Sequence, residues 1–152
     1  MITEDRWNHI LGVARQAARL AEKFFTGDAE NRRREMFLLG MLHDIGYEFA
    51  ETGRQHAVVG GEILRGTGYA QWRAVAAHGD PDVEEMTDEL FLLNCADMTT
   101  GPKGEALTMA ERLREIGERF GRESAAYEKS ARMVMRLQND ARFSMIKEEG
   151  GD

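Results

Sequence analysis

The sequence predicts an all-α protein, one compact bundle of about seven helices. Apolar residues recur at three- and four-residue steps in one segment after another, no stretch alternates with a strand's period of two, and the 152 residues include only two prolines. At that length, with 42% hydrophobic and 31% charged residues, the chain suits a single soluble domain with one core. We place that domain over residues 1–145 and expect 146–152 to form a frayed tail.

The first helix runs from Glu4 to Phe25, with His9, Val13, Ala17, Leu20 and Phe24 as its apolar stripe and Gly27 as a stop. Asp28 is placed to cap a second helix from about Ala29 to His43. In that helix Glu30, Arg32, Arg33, Arg34 and Glu35 precede the aliphatic run Leu38-Leu39-Gly40-Met41-Leu42, and the three arginines read as a solvated face. A polar loop over 48–55 leads to a third helix that begins at His56 and ends near Gly66 or Gly68. A short fourth helix covers Ala70 to His78 and stops at Gly79-Asp80-Pro81. Thr87 caps a fifth helix through Leu90, Leu93, Asn94 and Asp97. The break Gly101-Pro102-Lys103-Gly104 follows, and Thr108-Met109-Ala110-Glu111, with the spacing of a capping box, opens a sixth helix to about Phe120. A seventh spans Ser124 to about Leu137.

Charge and cysteine usage exclude several functions. A net charge of −7 argues against coating a nucleic-acid duplex, which demands a basic face, although it permits a small anionic substrate. No apolar run reaches the roughly 20 residues that span a bilayer. The start Met1-Ile2-Thr3-Glu4-Asp5-Arg6 lacks the basic and apolar regions of a signal peptide, so a cytoplasmic location is expected. One cysteine, Cys95, allows no internal disulfide, and its setting in Leu92-Leu93-Asn94-Cys95-Ala96 reads as a small core residue rather than a nucleophile.

Chemistry concentrates where the aliphatic run meets His43-Asp44-Ile45-Gly46. Beyond buried aliphatic side chains, an imidazole and a carboxylate need hydrogen bonds, charge partners or a metal ion. Taken alone, His43 serves equally well as a helix cap and Asp44 as the start of a turn before Gly46. Neighbours on a helix point about 100° apart, so a metal site also needs ligands from other elements. The four histidines, His9, His43, His56 and His78, all fall at helix ends or on an apolar face, and Asp97 lies on the inner line of a later helix. That shared placement favours a metal site.

The series His9, His43-Asp44-Ile45-Gly46, His56, His78 and Asp97 resembles the HD superfamily of metal-dependent phosphohydrolases in its HDIG form, over residues from about 6 to 121. Arg6-Trp7-Asn8-His9, His56-Ala57-Val58-Val59-Gly60-Gly61 and Asn94-Cys95-Ala96-Asp97-Met98 add to the likeness. The resemblance implies that His9, His43, Asp44 and Asp97 hold one metal. With His56 and His78 the chain is similar to the dinuclear members, in which Asp44 by position bridges two ions; some of those cleave diadenosine tetraphosphate. Gly79 departs from relatives that have a second histidine there. Mixed N/O ligation suits iron, manganese, zinc, nickel or cobalt. The activity implied is hydrolysis of a small phosphorylated substrate, a nucleotide for preference, by attack of a metal-bound hydroxide on phosphorus, with His43 and Asp44 at the catalytic centre. Arg54, Lys103 and Arg112 stand near ligand-bearing segments as candidate phosphate contacts. Two other readings use similar residues: a di-iron oxygenase of the same superfamily and a non-catalytic nucleotide sensor. No oligomeric state is specified.

Overall fold

A computed structural model describes residues 2–50 and 55–147. Among them eight α-helices follow in order: α1 (Glu4–Phe24), α2 (Ala29–Leu42), α3 (His56–Thr67), α4 (Trp72–Ala77), α5 (Asp88–Asp97), α6 (Met109–Phe120), α7 (Ala125–Asn139) and α8 (Phe143–Ile146). A 3-10 turn, Ile45–Glu48, joins α2 to the segment before α3. No strand forms among the described residues, so the fold is all-α.

The helix α5 is the centre of the bundle. Phe91, Leu92, Leu93, Cys95 and Ala96 are all at most 1% exposed, so its middle is enclosed and apolar on nearly every side. Against it, α1 buries the stripe His9, Val13, Ala17 and Leu20, and α2 buries Met36 and Leu39. Glycines let these helices approach closely. A Cβ on Gly40 would lie 2.5 Å from the Ala14 Cα, and one on Gly61 would lie 2.4 Å from the Ala76 Cβ, so α1 packs on α2 and α3 on α4 at backbone distance. These contacts bring the helix ends that carry histidines to one side of α5.

The caps follow the expected chemistry at three helices. Thr87 accepts from the Leu90 N–H, Ser124 from the Tyr127 N–H, and Thr108 and Glu111 form the reciprocal capping box. Thr108→Ala should therefore cost about 1 kcal/mol and lower the melting temperature by about 2–4 °C, measurable by thermal denaturation. The three arginines behave as a solvated face, with Arg33 and Arg34 paired to Glu30 and Arg32 to Glu35.

Some local expectations are corrected. Asp28 precedes α2 but caps nothing: its backbone is left-handed (φ 53°, ψ 41°) where an N-cap needs extended backbone, and its carboxylate accepts from the Asn31 side chain instead. The first helix ends before Gly27, at Phe24, where the Phe25 N–H still reaches the Ala21 carbonyl. The fourth helix is shorter than expected, Trp72–Ala77, because His78 turns to extended backbone. Residue 146, expected to start the tail, belongs instead to α8, which packs Ile146 into the core at 5% exposure. Residues 148–152 lie outside the described residues.

Candidate metal centre

Three of the histidine rings are held in the same way. His43 Nδ1 lies 2.6 Å from the Gly40 carbonyl, His78 Nδ1 lies 2.6 Å from the Val75 carbonyl, and His9 Nδ1 lies 2.8 Å from the Gly101 carbonyl. A carbonyl only accepts, so each Nδ1 carries the proton and donates. In the neutral ring the lone pair then sits on Nε2, the state a metal ligand needs. In His43 and His78, at the ends of α2 and α4, one nitrogen of the ring caps the helix and the other faces the cluster.

All four Nε2 atoms converge on Asp44, which is 2% exposed. On one side Asp44 Oδ2 lies 3.3 Å from His43 Nε2 and 3.8 Å from His9 Nε2. On the other, Asp44 Oδ1 lies 3.3 Å from both His56 Nε2 and His78 Nε2. Asp97 Oδ1 joins the first side, 2.9 Å from His9 Nε2 and 3.8 Å from His43 Nε2. Ligand atoms of His9, His43 and Asp44, of His43, His78 and Asp97, and of Asp44, His56 and His78 each fall within 4.8 Å of one another, a donor set able to hold metal ions.

Two further observations fit cations here. His43 Nε2 is buried without a hydrogen-bond partner, which would be costly for a group with nothing to bind. His56 Nε2 and His78 Nε2 stand 3.1 Å apart, and since His78 donates through Nδ1, its lone pair faces the other ring's nitrogen. A proton or a cation has to lie between them.

The electrostatics follow from burial and charge. Burial alone would raise the Asp44 pKa, but the imidazoles of His43, His56 and His78 outweigh it and hold the carboxyl well below its usual range. Asp97 behaves likewise, with burial opposed by the hydrogen bond and charge of His9. For His43, burial pulls the pKa down, yet the Asp44 and Asp97 carboxylates and the Gly40 carbonyl bring it up to about 9.

Neighbouring elements complete the site. Arg6 Nη1 donates to Asp44 Oδ2 at 3.0 Å, and its guanidinium lies over the Tyr47 ring at 3.9 Å. Tyr47 also stacks on His56 at 4.0 Å. Asn94 accepts from the Gly79 N–H at 2.9 Å, which fixes the chain just after His78. A cavity of about 290 Å³ opens over the cluster, walled by Arg6, Arg112, Arg119 and Lys129 and by apolar Ile116 and Phe120. A larger cavity of about 500 Å³, near Gln16, Cys95 and Thr99, is lined by none of the six histidine and aspartate residues. His9, Asp44, His56, His78 and Asp97 of the cluster line the smaller one. Cys95 itself is buried, and burial pushes its thiol pKa up, as suits a core residue.

Of the candidate phosphate contacts among the described residues, Arg112 reaches the cavity. Lys103 is exposed and does not line it: its turn serves the site through its backbone, where the Gly101 carbonyl holds His9. Arg54 lies outside the described residues. Sequence reasoning missed Arg6, Tyr47, Asn94, Arg119 and Lys129. Arg6 carried a usable signal, standing one helical turn before His9, and Arg119 stands two turns after Arg112 on the same helix face. Lys129 comes from α7 and carried none.

Comparison with known proteins adds one finding. The family model described as "HD domain" matches residues 6–101, well over half the chain, and spans all six converging residues. No curated protein and no solved structure gives a significant match.

Proposed function

The chain belongs to the HD-domain family, a superfamily of metal-dependent hydrolases, and from that premise we propose that it hydrolyses a small phosphorylated substrate, a nucleotide for preference, at a two-ion centre. The observation that carries this reading is the position of Asp44. Its two oxygens face two separate pairs of imidazoles, His9 with His43 and His56 with His78. A carboxylate with one oxygen toward each pair is suited to bridge two ions, while each imidazole serves one. In this reading His9, His43 and Asp97 complete one ion's ligands, and His56 and His78 complete the other's. Divalent ions such as iron, manganese, zinc, nickel or cobalt would polarise phosphoryl oxygens and lower the pKa of a water toward neutrality.

The chain's own residues then have distinct tasks. Backbone carbonyls at Gly40, Val75 and Gly101 keep three rings in the ligating tautomer. Arg6 orients the Asp44 carboxylate through Oδ2 and brings positive charge beside it. Arg112 gives the cavity wall a buried cation suited to a phosphate oxygen. Cations around the cavity favour phosphate hydrolysis over the oxygenase reading, which needs no such wall. No helix among the described residues is long and apolar enough to cross a membrane.

The test begins with metal analysis of freshly purified protein, then a phosphatase screen of mononucleotides, dinucleoside polyphosphates and cyclic dinucleotides. Phosphate release with two ions per chain is expected. Full metal content with no release from any substrate, and oxygen consumption by the iron-loaded protein, would overturn the hydrolase reading.

Proton competition gives a second test. Protonation of His43 is favoured in the chelator-treated fold, since its pKa there, about 9, exceeds the ordinary 6.5. Its contribution to that fold is whole below pH 6.5 and is lost as pH rises through about 9. Ions must displace the same proton, so metal occupancy at limiting metal should fall steeply below about pH 6 and keep climbing toward pH 9. Dialysis across this range, with metal assayed at each point, checks it. Occupancy that stays flat, with rapid exchange on adding chelator, would show that far fewer histidines bind metal.

A further inference from the structure

We infer that Tyr47 is a positioning residue for the second ion: its ring is the middle layer of a stack between Arg6 and His56, and it holds the His56 imidazole in its ligating place beside Asp44. The inference rests on the two-ion reading and adds to it a residue from outside the six.

Local structure places the ring. Asp44 leads into the 3-10 turn Ile45–Glu48, and the Tyr47 N–H donates to the Asp44 carbonyl at 3.0 Å. Side chains three residues apart in such a turn lie one above the other. Tyr47 therefore stands on the side of the Asp44 carboxylate, and both line the cavity.

Both faces of the ring are occupied. The Arg6 guanidinium lies 3.9 Å from its centroid, and the His56 imidazole stacks on it at 4.0 Å, 20° from parallel. Two planar groups that close cannot share one face without overlapping, so they take opposite faces. Each outer layer also reaches Asp44, by a different oxygen: Arg6 Nη1 donates to Oδ2 at 3.0 Å, and His56 Nε2 lies 3.3 Å from Oδ1. The tyrosine ring is thus the spacer between two groups that engage the two oxygens of one carboxylate. With both faces taken, it presents only its edge to the cavity and is no platform for a substrate ring.

His56 is the ligand that most needs such a support. Its side chain is 20% exposed, against 3% or less for His9, His43 and His78, and it is the first residue of α3, so packing confines it on fewer sides. The stack also responds to charge. An aromatic face carries the negative part of the ring's quadrupole, which already attracts Arg6 on one side. An imidazole that ligates a cation becomes electron-poor, and the attraction on the other side then grows. Tyr47 therefore adds to affinity for the ion that His56 ligates. The ion beside His9, His43 and Asp97 gains little, since those rings do not stack on Tyr47 and Arg6 keeps its own bond to Asp44.

Calorimetric titration of the chelator-treated protein with cobalt(II) alone tests this. The wild type should take two ions, and His56→Ala marks which binding step belongs to α3. In Tyr47→Leu, which keeps apolar volume without an aromatic face, that step should weaken about tenfold or more, the scale of losing a partner behind a ligating histidine, while the other stays within about twofold. Tyr47→Phe, which keeps the ring and lacks the hydroxyl, should stay within about threefold of the wild type at both steps. Lost packing alone would lower the melting temperature without separating the two ions. Circular dichroism monitors folding; if Tyr47→Leu does not fold, Tyr47→Met makes the same comparison. Equal weakening of both steps in Tyr47→Leu, or loss of the α3 step in Tyr47→Phe, overturns the inference. A wild type that takes one ion overturns the two-ion reading and the inference with it, whereas two ions held equally well by the wild type and Tyr47→Leu overturn only the role of Tyr47.

Discussion

Asp44→Ala is expected to reduce turnover by roughly a thousandfold or more, because loss of an outer hydrogen-bond partner alone costs about 10–100-fold in metal affinity or activity, and Asp44 stands between both imidazole pairs. Each of its oxygens lies 3.3 Å from at least one Nε2, so no other carboxylate in the cluster can replace it on both sides. Metal content should fall with activity. Helix content should persist, since Asp44 follows α2 and the apolar core under it, Leu39, Met36 and Val13, is untouched. Metal per chain, phosphate release and circular dichroism measured on one preparation decide it. Activity near the wild-type level would remove Asp44 from the mechanism.

Gly46→Ala should be almost as damaging, for a different reason. A Cβ at Gly46 would lie 1.7 Å from the His56 carbonyl oxygen, 2.6 Å from its carbon and 2.8 Å from the Gly60 nitrogen. Every one of these atoms is backbone, so no rotamer change relieves the clash, and the first turn of α3 must move. His56 moves with it. The expected result is loss of about 1–3 kcal/mol or more of stability, the cost of overpacking a tight contact, and a fall from two ions per chain toward one. The set of His9, His43 and Asp97 is held by α1, α2 and α5 and should keep its ion. Gly60→Ala, which meets the Gly46 nitrogen at 3.1 Å, is the milder comparison. Wild-type metal content and melting temperature in Gly46→Ala would refute the assignment of α3 to the second ion.

These two residues also mark how far the sequence could be read. The importance of Asp44 was legible, because a carboxylate beside an imidazole at the end of an aliphatic run has few stable environments. The reason for Gly46 was not. As a sequence feature it ended a turn, whereas in the fold it is the surface on which α3 rests. Asp28 shows the converse error: a residue type that favours caps stood at the right place, but its backbone conformation is left-handed and no cap bond forms.

By itself the sequence determined the helical class and the capping box at Thr108, because periodicity and caps are properties of residue type and spacing, and it singled out six histidine and aspartate residues that the fold brings together. Only the tertiary structure decided which nitrogen of each ring faces inward, how Asp44 divides its oxygens between two imidazole pairs, and which cations join the cavity. Arg112 reaches it and Lys103 does not, although Lys103 lies in the break before α6 and Arg112 shortly after it. Arg6, Arg119 and Lys129 meet across α1, α6 and α7, elements far apart in sequence. Backbone carbonyls at Gly40, Val75 and Gly101 choose the tautomers, and glycines at Gly40, Gly46 and Gly61 set how close the helices come. Hydrogen-bond direction and backbone separation arise from packing between distant segments, and spacing along the chain carries neither.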